Sequence, residues 1–239
     1  MTTERRARIL ARLAGQVPGG PETARLCEVC RDVTGMTGAG IMLMSDDVPR
    51  GSLCTTGSVS EFIEQLQFAL GEGPCVDASH QGRPVLEPDL AKPAVPRWIA
   101  FTGPAVDAGV RAIFGFPLDV GVVRLGALNL YRDAPGPLTD EQHADALVVA
   151  DIAAQAVLLM QANASPGRLA AELEVGADFH YVVQQAAGMV AAQLEVSVAK
   201  ALIRLRAHAF GNDRNLDDVA RDVVARKLRF ADSPTDEGT

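Results

Sequence analysis

The chain has 239 residues, 48% of them hydrophobic and 22% charged, a balance that suits one large or two modest globular domains with a real core. Its net charge of −8 excludes whole-molecule attraction to nucleic acid or to an anionic membrane as the default expectation. Arg12 interrupts the apolar residues after Arg5, Arg6 and Arg8, and no cleavage signature follows, which excludes a signal peptide. The longest apolar run, Leu147 to Met160, contains Asp151 and Gln155 and is too short to span a bilayer. The expectation is a cytoplasmic protein whose four cysteines are reduced thiols.

Residues 4–14 pattern as a first helix. Pro21 and Glu22 open a second, with Leu26, Val29, Cys30 and Val33 at helical spacing and Gly35 as its stop. Ala39 to Ser45 reads as a buried strand, with a second strand over Leu53 to Thr56. Val59 to Leu70 is predicted as a helix capped by Ser58, with Glu61 three residues on. Gly71-Glu72-Gly73-Pro74 reads as a loop and Pro84 to Leu86 as a short strand. Pro88 to Pro104, which holds the lone Trp98, is proline-rich and weakly patterned. Val110 to Val120 and Val122 to Tyr131 form a hairpin about Gly121. Thr139 and Gln142 make a capping box for a long helix over 140–162, whose apolar side is Ala146, Leu147, Ala150, Ala153, Ala154, Val157 and Leu158.

Asn163 to Gly167 breaks the pattern, and Leu169 to Glu174 reads as an extra helical turn. Beyond it, three short amphipathic helices are predicted over 179–195, 197–210 and 216–229, capped in turn by Ser197 and by Asn215 with Asp218. The first carries an apolar stripe of Phe179, Val182, Val183, Ala186, Val190 and Leu194. Opposite lie Gln184, Gly188, Ala191 and Ala192. Glycine inside a helix costs about 1 kcal/mol against alanine, and nothing on the apolar stripe asks for Gly188. Such a bare face admits a partner backbone closely. Packing against another protein surface and approach of RNA both explain it. Between Ala199 and Phe230 there are eight Lys/Arg against four Asp, a local +4 inside an acidic chain. The tail from Ala231 to Thr239 is polar and expected to be disordered.

The run from Val182 to Leu228 resembles the ANTAR domain, a three-helix RNA-binding module of bacterial transcription antiterminators. Gln185-Ala186-Ala187-Gly188 with Met189, Ala201-Leu202, Arg204-Leu205-Arg206-Ala207, and Leu216 with Asp218-Val219-Ala220 carry the likeness. Ala187 stands where that family has a lysine, which removes a phosphate contact. Residues 4–163, with their helix–strand–strand opening, the Leu70 to Val85 stretch and the closing hairpin and long helix, look like a GAF domain. The expected fold class is therefore α+β: a GAF-like antiparallel sheet flanked by helices over 1–163, a linker at 164–177, an all-α ANTAR-like bundle over 178–230 and a tail at 231–239.

On spacing alone the basic residues read as a solvated face with helix pairs such as Asp217–Arg221 and Asp222–Arg226. The ANTAR resemblance shifts that reading to RNA contact, with Arg204, Arg206 and Arg214 beside Gln185, Gly188 and Met189 as the expected RNA-binding residues. Exposed Ile203 and Phe210 lean towards a protein contact. Cys27-x-x-Cys30 has no second pair and reads as buried apolar side chains rather than zinc ligands. Cys75 is the best candidate for a reactive thiol. His80 and His143 read as surface or core histidines ahead of haem ligands. Trp98 and Phe101 read as core ahead of a pocket lining. The Gly71-x-Gly73 turn lacks the lysine and serine of a phosphate loop. No catalytic residue, metal or cofactor is expected.

What the resemblances imply is a regulator of transcription antitermination, in which a GAF-like sensor governs binding to RNA hairpins in nascent transcripts. A homodimer through the long helix is expected, and no membrane partner. The ligand of the sensor stays open. Two rivals stand beside this reading. One is a ligand- or redox-sensing module that acts through protein partners and binds no RNA. The other is a thiol-dependent sulfoxide reductase using Cys75 and Cys54.

Overall fold

A computed structural model describes residues 2–14, 22–45, 48–163 and 178–230. The expected linker at 164–177, with its extra turn, the side chain of Phe179 and the tail at 231–239 lie outside the described residues. The chain divides into two compact units, Met1–Leu173 and Glu174–Thr239.

The first unit runs α1 (Thr2–Ala14), α2 (Glu22–Thr34), β1 (Gly38–Ser45), β2 (Val48–Thr55), α3 (Ser58–Leu70), α4 (Pro74–Gln81), β3 (Val85–Glu87), α5 (Ile99–Asp107), β4 (Ala112–Val120), β5 (Val123–Arg132) and α6 (Asp140–Asn163). The strands form one antiparallel sheet in the order β2-β1-β5-β4-β3. Side chains alternate across a strand, so the sheet buries two different sets. Phe114, Phe116, Leu128 and Leu130 meet α1, α2 and α6 on one face. Ile113, Ala127 and Tyr131 meet Ile63, Cys75, Trp98 and Phe101 on the other.

The long helix α6 carries the expected capping box: Gln142 N–H donates to Thr139 Oγ1, and Thr139 N–H to Gln142 Oε1, both at 3.1 Å. Helix α1 is clamped along it, with Arg5 and Arg8 on Asp145 and Arg6 on Asp151. By length and composition Asp140–Met160 is enough to cross a membrane, which corrects the reading of a shorter run. Its inner side is nevertheless packed into the core with the sheet, where Ala146, Val149, Ala150, Ala153, Ala154 and Val157 are buried, while Leu147 and Leu158, expected on that side, are exposed.

Several expectations need correction. Helix α3 starts at Ser58 with Gly57 before it and has no side-chain cap. Ser58 therefore lies inside the first turn and cannot serve as the cap. Strand β2 begins at Val48, earlier than expected. The Gly71–Pro74 loop ends one residue sooner, because Pro74 opens helix α4. Proline lacks an N–H and suits a first helical position, where none is needed. The weakly patterned stretch contains α5, whose first N–H groups, on Ala100 and Phe101, both donate to Glu72 Oε1 at 2.7 and 2.9 Å. That helix is capped by a residue distant in sequence. Finally, Cys27 of α2 and Cys54 of β2 form a disulfide, while Cys30 and Cys75 are free and buried. The four-thiol expectation fails because β2 returns alongside α2 and brings a cysteine 27 residues away to Cys27.

The second unit has three helices, α7 (Asp178–Leu194), α8 (Val198–Gly211) and α9 (Leu216–Val224). The chain bends by 105° between α7 and α8. Val183, Ala186, Ala187, Val190 and Leu194 pack with Ala201, Leu202 and Leu205 and with Leu216, Val219, Ala220 and Val223. The two cap side chains act as the sequence predicts, Ser197 Oγ accepting from Lys200 N–H and Asn215 Oδ1 from Asp217 N–H, but the reciprocal bond expected from Asp218 is replaced by an ion pair. Asp218 bonds Arg221. Helix α9 stops at Val224, short of residue 229. Arg226 there is left-handed, at φ 59°. Beyond it the chain turns back: Phe230 N–H donates to Gln193 Oε1 at 2.9 Å, and its ring stacks edge-on to His208.

Candidate functional site

Three strands of the first unit place small residues side by side. Gly40 of β1, Asn129 of β5 and Gly115 of β4 are register partners in one row. A glycine row under helices leaves a trough, and the helices come down into it. At Gly40 a β-carbon would meet the Glu64 carboxyl at 2.6 Å. At Gly115 it would meet the Pro74 carbonyl oxygen at 2.4 Å. Neither glycine has room for a side chain, so α3 and the start of α4 approach the sheet only because these residues have none.

The trough is polar. Glu64, Gln67, Ser79 and Asn129 are all essentially buried. Asn129 Nδ2 donates to Glu64 Oε1 at 3.1 Å, and Cys75 N–H donates to Gln67 Oε1 at 2.8 Å. Glu64 Oε2, Gln67 Nε2, Asn129 Oδ1 and Ser79 Oγ are buried without a hydrogen-bond partner. Buried polar atoms are normally satisfied, so those on Glu64, Gln67 and Asn129, which meet one another or Cys75, mark a site with spare donor and acceptor capacity. Burial pushes the Glu64 carboxyl up to about 8, against the opposing pull of the Asn129 hydrogen bond. Burial first, then the Glu64 carboxylate, raises the Cys75 thiol, while the contact with Gln67 opposes them. The carboxylic acid is thus neutral and a donor at neutral pH. Two residues along β5 on the same face, Thr56, Ser60 and Tyr131 link hydroxyl to hydroxyl at 2.9 and 3.2 Å.

A segment over this face is held at three points. Glu72 caps α5, Trp98 Nε1 donates to Asp77 Oδ2 at 3.0 Å, and Arg97 pairs with Glu87 while stacking on the Trp98 ring. Trp98 itself is left-handed at φ 53°, a strained place for a bulky residue. Trp98 and Phe101 meet edge to face in the core. The other face has an open cleft of about 430 Å³ lined by Arg8, Arg12, Asp32, Gly35, Gln142 and Asp145, with Arg8 already tied to Asp145. His143 packs against Phe116, and His80 is exposed. Among the described residues no cluster of three or more His, Cys, Asp or Glu could hold a metal ion.

In the second unit the expected RNA-binding residues separate into groups. Gln185 and Gly188 are exposed on α7 and Met189 is half-buried. A β-carbon at Gly188 would meet nothing within 4 Å, so no internal packing demands that glycine. Ala191 and Gln184 are half-buried, which leaves the bare face narrower than the spacing predicts. Ala187 is fully buried. Its position faces the bundle interior, so a phosphate contact is not what the alanine removes. Arg204 is exposed and forms no ion pair among the described residues. Arg206 is only half-exposed, and burial lowers its guanidinium to about 10. Arg214 is paired with Asp222 at 2.7 Å, and Arg221 with Asp217 and Asp218. The carboxylates of α9 thus pair with Arg221 on the helix and with Arg214 before it, whereas Lys200 and Arg204 of α8 form no ion pair among the described residues. Pairing across turns is visible in sequence for Asp217 and Arg221. The Arg214–Asp222 pair is less so, since it joins a loop to the far end of α9.

The family model for the GAF domain matches residues 23–158. The fold is similar to the GAF domain of a phosphoenolpyruvate-protein phosphotransferase from Coxiella burnetii, at 14% identity, covering 67% of this chain and 95% of that one with a TM-score of 0.50. It is also similar to the free methionine-R-sulfoxide reductase from Neisseria meningitidis solved with its substrate, at 17% identity over 68% of this chain and 92% of that one, with a TM-score of 0.50. No curated protein matches the chain.

Proposed function

The chain belongs to the GAF domain family, a sensory and signalling module, and from that premise we propose that it is a cytoplasmic regulator of transcription antitermination. In this reading the GAF unit senses a small polar molecule through the Glu64–Asn129 trough. The C-terminal unit is an ANTAR-like domain that binds RNA hairpins in nascent transcripts as part of a homodimer. The observation that carries it is the uneven pairing of charge. Helix α9 ties Arg214 and Arg221 to its own carboxylates, while α8 presents Lys200 and Arg204 unpaired among the described residues. Among the described residues no carboxylate pairs with those two cations, nor with Arg226, Lys227 and Arg229 beyond α9, and phosphates would. Gln185, Gly188 and Met189 supply the neighbouring contacts, Arg206 a desolvated one, and Arg214 a contact that must first leave Asp222.

Titration of the full chain against tandem-hairpin RNA, with DNA of the same sequence as control, tests the reading. Salt-sensitive RNA binding that weakens in Arg204→Ala is expected. Gly188→Ala should also weaken it, because the added methyl meets no protein atom but stands in the path of an approaching backbone. Equal affinity for DNA, or indifference to Arg204, refutes the proposal.

One rival has a specific observation in its favour. The Cys27–Cys54 disulfide gives a redox-sensing module acting through protein partners a reducible group. The sulfoxide reductase reading has less support: Cys75 is fully buried with its thiol raised, and Cys54 is bonded to Cys27.

A further inference from the structure

The outer stripe of α8 combines charge with exposed apolar surface. Ile203 is 60% exposed and Phe210 69%. They are seven residues apart, two helical turns, so they share one stripe about 10 Å apart along the axis. Ala207 lies between them and is exposed, so the surface between the two larger side chains is shallow. Lys200 and Arg204, at i, i+4 spacing, border the stripe on one side and the half-buried Arg206 on the other, and α8 has no acidic residue in its 14 positions. In sequence the carboxylates closest to α8 are Glu195, three residues before its start, and Asp213, two residues past its end. Phe230, the other aromatic nearby, is already engaged with His208; the Phe210 ring has no such partner among the described residues.

An exposed aromatic on a cationic, acid-free helix face fits a polyanion that carries planar rings. Duplex RNA keeps its bases stacked inside, whereas loops splay them outward, where aromatic side chains can stack on them. We propose that Phe210, with Ile203 two turns earlier, is a stacking platform for unpaired loop bases, so that this face of α8 reads the looped part of an RNA rather than its stem. The proposal rests on the RNA-binding reading and goes beyond it by separating two roles: Lys200 and Arg204 meet phosphates, Phe210 meets bases.

The test uses the full chain and two fluorescein-labelled RNAs, a tandem hairpin with short adenine loops and a continuous duplex of the same stem. Wild type should prefer the looped RNA. Phe210→Ala should weaken looped-RNA binding about tenfold, leave duplex binding unchanged and keep the salt dependence. Phe210→Trp should restore the affinity, and Arg204→Ala should weaken both RNAs and flatten the salt dependence. If Phe210→Leu binds like wild type, the side chain is an apolar filler and stacking is refuted. If Phe210→Ala binds normally while Arg204→Ala does not, the platform is refuted and RNA binding stands. If Phe210→Ala instead dissociates a dimer in sedimentation with RNA affinity intact, the face is a protein contact and the proposal fails. If wild type binds neither RNA, the RNA-binding reading itself falls.

Discussion

Glu64 offers a sharp prediction, because its carboxyl must be neutral where it is buried. Its ordinary value is 4.5, and burial raises it to about 8 in the folded unit. Between those values the unfolded chain gives up its proton and the folded chain keeps it. Folded protein thus binds more protons than unfolded, and stability falls as pH rises through that window. Each pH unit is worth 1.36 kcal/mol. The loss is under 1 kcal/mol at pH 5, about 3 kcal/mol at pH 7, and levels off near 5 kcal/mol above pH 8. Glu64→Gln keeps an acceptor for Asn129 and removes the titration. Urea unfolding followed by the lone Trp98, which lies in this unit, reads the effect. The variant should gain about 2.5 kcal/mol over wild type between pH 5 and pH 7, roughly 1 M in midpoint. Taking the difference cancels the other titrating groups. A gap that stays constant across that range would refute the buried neutral acid.

Gly115→Ala should destabilise the same unit by about 1–3 kcal/mol, since its methyl would stand 2.4 Å from the Pro74 carbonyl oxygen, a backbone atom; an unchanged urea midpoint would show that α4 can retreat. Ala187→Lys, which restores the residue of the ANTAR pattern, should destabilise the C-terminal bundle by about 2–4 kcal/mol, because an ammonium must be buried or dragged out of a closed interface. Thermal melting by far-ultraviolet circular dichroism checks it, and a melt identical to wild type would mean that the position opens outward.

Much of the architecture is written in local patterns. The hairpin about Gly121, the capping box at Thr139 and the caps at Ser197 and Asn215 each depend on residues within a few positions of each other. Sequence reading found them for that reason. The misses share the opposite property. Helix α5 has no local cap; Glu72 supplies it from 28 residues away. Cys54 reaches Cys27 only because β2 folds back along α2. Helix α4 was hidden by the habit of reading Gly-Pro as a loop, although Pro74 occupies the first helical position, where its missing N–H is harmless.

The two candidate sites divide along the same line. On α8, helical period alone puts Lys200 and Arg204 on one outer side and Ile203 and Phe210, with Arg206, on the adjoining flank, and neither needs tertiary information to be seen. Which arginines are free does need it. Arg206 loses solvent to its own bundle, and Arg214 is claimed by Asp222 only once α9 docks. The trough in the first unit is less visible still. Gly40, Gly115 and Asn129 become a row only through strand register across three strands, and Glu64 reads in sequence as one more polar residue on a helix. Its burial follows from Gly40 on β1, which leaves space for a carboxyl. A sensor that used this trough would have its ligand-facing groups scattered over elements that share no sequence pattern, so its specificity would have to be sought in register and in orphaned atoms. The face proposed for nucleic acid has Lys200, Arg204 and Phe210 on one helix, and that part can be sought in the sequence.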